Sequence, residues 1–177
     1  LSCSIETTPR RASTTTATTL VSVQAARTIS TLSLVNGNGY FVDYGDMDPD
    51  SAFLIVAHRS LWNGAMAYAQ YRSANAPEPR PSIVADVDEL YDQFGGGVPK
   101  NGLAIRMWSK YLVDTWTTVP RGLFLIGKSV NNTNTVVTPG SMYPPSTNGA
   151  YARTLVPSYG YPACDQCFTL GLHADPR

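Results

Sequence analysis

Charge is the first thing this sequence is short of. Only 15% of its 177 residues are Asp, Glu, Lys or Arg, against roughly 25% in soluble chains at large. Thirteen basic residues balance thirteen acidic ones, so the formal net charge is zero and the isoelectric point is about 6.9. A nucleic-acid or anionic-membrane partner calls for a basic footprint, and none is present. No apolar run approaches the ~20 residues that span a bilayer. The longest, Phe53 to Ala57, is strand-sized. The first thirty residues hold Arg10 and Arg11 and then a Thr/Ser/Ala tract, without the apolar centre of an intact secretory signal. The chain starts at Leu1 and not at Met, so the expectation is a processed chain or a piece of a longer one. Histidine and cysteine are scarce, at two and three. The odd cysteine count leaves at least one thiol without a partner inside the chain. The G-x-S-x-G, H-E-x-x-H and G-x-G-x-x-G signatures are absent.

What is present is a domain's worth of globular material. Hydrophobic residues make up 43% and the mean hydropathy is −0.12, a balance that supports a packed core and argues against full disorder. A surface low in charge and rich in Thr, Ser and Asn suggests secretion or display on a cell surface.

Two textures divide the chain. Residues 1–50 read as a β-rich arm and preamble: a Thr/Ser/Ala stretch, then Ile29–Val35 and Tyr40–Tyr44 flanking Asn36-Gly37-Asn38-Gly39. That turn sequence favours positive φ, so an antiparallel hairpin is predicted. Residues 51–177 read as an α/β unit. Ala52–Ala57 is a continuous apolar run of the kind that parallel strands show when both faces are covered. Ser60 is placed to cap a helix from Leu61 to about Ser73, which the prolines at 77, 79 and 81 end. Ser82–Asp86 is a second strand and Asp88–Phe94 a short helix that stops at Gly95-Gly96-Gly97. In Asn101–Trp116 the residues Ile105, Trp108, Leu112 and Trp116 form one apolar stripe at helical period. Gly122–Gly127 is a third buried strand, 128–150 a long polar loop, and Arg153–Val156 a short terminal strand. Strands alternating with helices imply an open, mostly parallel sheet flanked by helices. Ligand crevices in such sheets lie at the strand carboxyl ends, which here are the tips after Ala57, Asp86 and Gly127.

Few residues carry chemistry. Cys164-Asp165-Gln166-Cys167 has C-x-x-C spacing. A redox pair would need a helix opening at the first cysteine, yet Pro162 and the run after Cys167 look extended. Zinc would take Cys164, Cys167 and His173, with Cys3 or His58 as a fourth ligand. A structural disulfide, local or long-range, and buried thiols are the simpler readings. His58 follows the first strand, a good address for a catalytic group, but no Gly-flanked nucleophile partners it, and capping of the next helix accounts for it as well. Asp46, Asp48 and Asp50 imitate the start of a calcium loop, but Ser51 and Ala57 stand where an EF-hand requires Gly and Glu. Asp86, Asp88 and Glu89 could act as an acid–base pair, or they support a helix N-terminus electrostatically. Gly95–Lys100 lacks phosphate-loop spacing. Asn131-Asn132-Thr133 fits the N-glycosylation triplet.

One stretch has a larger pattern. Asp88-Glu89-Leu90-Tyr91-Asp92-Gln93-Phe94, Gly97, Ala104-Ile105-Arg106, Trp116, Pro120 and Phe124-Leu125-Ile126-Gly127 occur in that order. Upstream lies the lead into the strand at Phe53; downstream lies Pro157-Ser158-Tyr159 and then Asp165. Over roughly residues 40–177 this resembles the gingipain-type cysteine peptidases, which include the sortases of the type IX secretion system. Lys128 departs from the resemblance, standing where that family usually has an acid. The family's catalytic His-Gly pair and catalytic Cys come later than this chain reaches, and neither His58, Cys164 nor Cys167 matches them. The resemblance therefore implies the first, caspase-like α/β subdomain of a secreted or surface cysteine endopeptidase. It implies no catalytic, cofactor-binding or metal residue in this chain, with Cys164 and Cys167 as structural cysteines. The partner it implies is a catalytic subdomain of the same protein, with peptide substrate engaged through that subdomain, and calcium is an unlocated cofactor. The alternative expectation is a non-enzymatic surface binding or scaffold module on the same α/β fold.

Overall fold

The computed structural model describes residues 31, 34–130, 153–160 and 162–172, and every structural statement below concerns those residues. Three strands and three helices make up the regular structure: β1 (Phe53–Ala57), α1 (Trp62–Ala74), β2 (Ser82–Asp86), α2 (Val87–Phe94), α3 (Gly102–Thr115) and β3 (Gly122–Ile126). The sheet runs β2-β1-β3 and is parallel throughout. β1 lies at its centre, with Ala57 in register with Asp86 on one side and with Ile126 on the other. None of the described helices is long and apolar enough to cross a membrane.

The strand order explains the layers. The crossover from β1 to β2 runs one way along the sheet and the crossover from β2 to β3 runs back over β1. Crossovers of one hand taken in opposite directions put their helices on opposite faces. Accordingly Ile55 and Ala57 pack with Ala65 and Ala69 of α1. Leu54 and Val56 point the other way, to Leu90, Ile105, Trp108 and Leu112 of α2 and α3. This is the strand period of two read against two helix layers. It is also why the apolar run at β1 is continuous and not alternating.

Local chemistry sets the ends. The Asp86 carboxylate accepts the Asp88 N–H at 3.2 Å and starts α2. The Asn101 side chain accepts the Leu103 N–H at 3.1 Å and starts α3. Between them the glycine loop turns back through positive φ at Gly96 and Gly97, where the absence of a Cβ makes that conformation inexpensive. At the first helix the cap differs from expectation. Residues Arg59–Leu61 form a 3-10 turn ahead of α1, and the side chain that caps it belongs to His58, not Ser60.

The antiparallel preamble hairpin does not appear among the described residues. Val35–Gly37 is a 3-10 turn and Tyr40–Tyr44 is in no strand, while Ile29, Ser30, Leu32 and Ser33 lie outside the described residues. The turn residues still take the positive φ expected of them, at Asn36, Gly37 and Gly39. Side chains of α2 and of the α3 exit occupy the backbone groups that a hairpin ladder would use. Glu89 accepts from the Val42 N–H at 2.7 Å and from Asn36 Nδ2 at 2.9 Å. Gln93 Nε2 donates to the Val42 carbonyl and Trp116 Nε1 to the Tyr44 carbonyl, the latter at 2.8 Å. Tyr44 is thereby sunk in the core, edge-on to Trp108. Burial, reinforced by Glu89 and then Asp86, keeps its phenol protonated far above the usual tyrosine range.

The expected terminal strand at Arg153–Val156 is also absent. Leu155 and Val156 instead donate their N–H groups to the single Lys128 carbonyl, crossing the end of β3 without a ladder. The extended arm over residues 1–30 and most of the polar loop at 128–150 lie outside the described residues. The crossing explains Gly127, whose φ is +155° and where an added Cβ would stand 2.7 Å from Val156 Cγ2 and 3.1 Å from Leu155 Cβ. Gly127→Ala is therefore expected to destabilise the fold by about 1–3 kcal/mol, the usual cost of overpacking, read as a lower urea midpoint at unchanged slope.

Candidate functional site

The carboxyl edge of the sheet gathers three of the ionisable groups that the sequence singled out: His58, Asp86 and Asp88. Register does this: with Ala57 opposite Asp86, the residues just past β1 meet those just past β2. Arg59 reaches across so that Nε and an Nη each donate to Asp86 Oδ2 at 2.7 Å. Asp86 is almost fully buried while the Arg59 head is largely exposed. The pair therefore neutralises a buried carboxylate whose other oxygen caps α2. The Arg59 guanidinium also lies 5.3 Å from the centre of the Trp62 ring.

His58 is held on both sides of its ring. Nδ1 accepts the Ser60 N–H at 3.2 Å and lies 2.8 Å from the Ser60 hydroxyl. With Nδ1 occupied as an acceptor, the proton of the neutral ring is assigned to Nε2, which faces Asp88 Oδ2 at 3.7 Å. That separation is too long for a hydrogen bond. The trio is thus a cap with an electrostatic neighbour and not a relay aligned for proton transfer. Burial and the adjacent Asp86 raise the Asp88 carboxyl above the ordinary aspartate value, against opposing pulls from His58 and Lys100. Burial lowers the Lys100 ammonium, and Asp88 works in the opposite direction. Lys100 comes to this edge because the glycine loop returns the chain to begin α3; its φ of +61° belongs to that reversal.

The remaining candidates are dispersed. Glu89 is buried beneath α2 and brackets Asn36 and Val42, away from any acid–base pairing with Asp86 or Asp88. Asp48 turns both oxygens to Thr117, accepting its N–H at 2.9 Å and its hydroxyl at 2.6 Å. Asp50 accepts the Ser51 hydroxyl. Asp48 thus ties its loop to the exit of α3, and Asp50 is engaged within the loop. Among the described residues no three His, Cys, Asp or Glu side chains gather to hold a metal. Cys164 and Cys167 are joined in a disulfide, which withdraws both sulfurs from a zinc set or a free thiol pair. Cys3, His173 and the Asn131 triplet lie outside the described residues.

Sequence reasoning missed Arg59, Lys100 and Arg106. The signal for Arg59 was available, since two five-residue parallel strands with aligned ends bring residues 58–59 beside 86–88. Lys100 and Arg106 depend on how loops return, which spacing does not encode.

Two variants test this edge. His58→Ala is expected to lower stability by about 1 kcal/mol, as for the loss of a helix cap, measured by chemical denaturation. For Asp88 the sign follows from linkage. A carboxyl with a raised folded-state pKa stabilises the fold below its unfolded-state value, and that contribution is lost as pH rises through the folded value. Asp88→Asn should therefore gain stability relative to wild type as pH climbs through that window. The same variant should push the Lys100 pKa further down, because Asp88 is the group that raises it; a 13C-detected lysine titration reads this directly.

Against known proteins, a family model described as peptidase family C25 matches residues 46–174. No curated protein and no solved structure matches the chain. The match takes in all three strands, all three helices and the disulfide turn. With the family covering most of the chain over this parallel α/β sheet, the protein belongs to peptidase family C25, the gingipain family.

Proposed function

We propose that this chain is the N-terminal, non-catalytic subdomain of a gingipain-like cysteine endopeptidase, secreted or held on a bacterial surface. Its role in this reading is to buttress a catalytic subdomain of the same polypeptide that lies beyond residue 177. One observation carries the proposal. A cysteine peptidase needs a free thiolate beside an imidazole, but the two described cysteines are bonded to each other and His58 is engaged as a turn cap. The thiolate, its activating His and the oxyanion donors that stabilise the tetrahedral intermediate then belong to the partner subdomain.

The edges of the sheet support the same reading. β2 is guarded by Pro81 before it and by Asp86 within it, the kind of device that discourages further pairing. β3, Gly122-Leu123-Phe124-Leu125-Ile126, has neither charge nor proline, and among the described residues it pairs only with β1. Phe124, at its centre, is 43% exposed. An unguarded apolar edge suits a strand or helix of the catalytic subdomain. The disulfide and the charge-poor composition favour an oxidising compartment outside the cytosol, as export by type IX secretion would provide.

Side-by-side assay of the 177-residue chain and the full reading frame tests this. The expected result is thiol-dependent cleavage of fluorogenic peptides by the longer polypeptide alone, lost on substituting a cysteine encoded after residue 177. Cleavage by the short chain, abolished by Cys164→Ala or Cys167→Ala, would overturn it. An inactive full reading frame would favour the scaffold module.

A further inference from the structure

The Cys164–Cys167 disulfide closes across a single 3-10 turn, Asp165–Phe168. What that turn holds is more informative than the bond itself. Phe168 is fully buried in the main core, edge-on to Tyr159 at 5.7 Å. Cys164 donates its N–H to the Tyr159 carbonyl at 2.9 Å. At the carboxyl end of the turn, one Arg106 nitrogen on α3 donates to two carbonyls, those of Cys167 and Leu170, the second at 3.0 Å. A cation at the open carbonyls of a turn is favourably placed. Two carbonyls three residues apart converge on one guanidinium only while the backbone between them keeps its curl. Directly after the turn, Thr169 and Leu172 form a wall of a cavity of about 260 Å³, with Leu54, Val113 and Leu123 from the sheet and α3. The cavity lies toward the start of β3, at the opposite end of the sheet from His58 and Asp88.

The setting argues against an oxidoreductase. Catalytic C-x-x-C pairs stabilise a thiolate at the start of a full helix, whereas here the turn is four residues long and an aspartate adjoins Cys164. A disulfide that shapes a turn, a turn that presents carbonyls to Arg106, and a following segment that walls a cavity make a different device. We propose that Cys164–Cys167 is a redox-set fastener: oxidised, it seats residues 165–172 on α3; reduced by a dithiol, it releases them and takes away the wall that Thr169 and Leu172 give the cavity. A thiolate of the dithiol attacks one sulfur and expels the other cysteine as a thiolate, which takes up a proton. The second thiol of the reagent then attacks the reagent's own sulfur in that mixed disulfide and expels the remaining cysteine as a thiolate, which also takes up a proton. Two electrons pass to the protein, two cysteine thiols form, and the dithiol leaves as its cyclic disulfide. This inference does not depend on the chain being a non-catalytic subdomain.

Hydrogen exchange of the folded 177-residue chain tests it, with and without dithiothreitol at neutral pH, beside Arg106→Gln with the disulfide intact. Reduction of already folded protein is the principal arm, so the result does not depend on folding without the bond. Expected is a rise of about tenfold or more in exchange across residues 165–172 on reduction, with the β1 amides unchanged, as for a local opening unit. Arg106→Gln should loosen the same residues without any reductant. Unchanged exchange at 165–172 after reduction would overturn the proposal. So would equal acceleration in β1, which would make the bond a global stability element, or free thiols at both positions by peptide-mapped alkylation of protein made in an oxidising medium.

Discussion

Five residues at the centre of the sheet, Phe53 to Ala57, constrain everything else. β1 is hydrogen-bonded along both edges and covered on both faces, so every backbone polar group finds a ladder partner and every side chain from Leu54 onward leaves water. A strand in that position has no freedom of register: a one-residue slip would exchange its two faces, presenting Leu54 and Val56 to the small alanines of α1 and stranding the large side chains of α3. β1 therefore dictates where β2 and β3 end, and with them the carboxyl edge.

The chemistry at that edge is structural in character. Asp86 is a buried charge whose two oxygens are both used, one capping α2 and the other pairing with Arg59. That arrangement locks the exit of β1 to the exit of β2. His58 acts one step further on, by closing the turn into α1. Asp88 and Lys100 are the members of the group with perturbed titration, and they face each other across the return of the glycine loop. Every one of these hydrogen bonds joins the end of one strand to the start of a turn or helix. The sheet presents a parallel platform, with Pro81 and Asp86 on its β2 flank and, among the described residues, no strand beyond β3.

A second centre of organisation lies along α3. Its apolar stripe of Ile105, Trp108, Leu112 and Trp116 holds the preceding segment through Tyr44 on one side and the following segment through Phe168 on the other. Arg106, one residue off the stripe, gathers the carbonyls of the disulfide turn. Chain segments with no regular structure of their own are thus anchored to one helix, by a tryptophan indole at one end and a guanidinium at the other.

Periodicity and cap chemistry act over a few residues, and they are legible without coordinates. The three strands, the three helices, the support of the α2 N-terminus around Asp86 and the parallel sense of the sheet all follow from runs and spacings in the chain, while the cap expected of Ser60 belongs to His58. The ordered motifs from Asp88 to Gly127 were enough to resemble the gingipain family. What the sequence could not decide was partnership at a distance. Asn36 to Tyr44 has the composition of a hairpin, yet Glu89, Gln93 and Trp116 reach its backbone first, because α2 and α3 pass close by. The cysteine pair had several readings until the turn between Cys164 and Cys167 brought the sulfurs together. His58 had a catalytic address, and the turn that brings the Ser60 N–H to its ring made it a cap. In each case the residues were visible in the sequence, while the competing bond came from a segment dozens of residues away or from a backbone turn, and only the packed chain selects between such bonds.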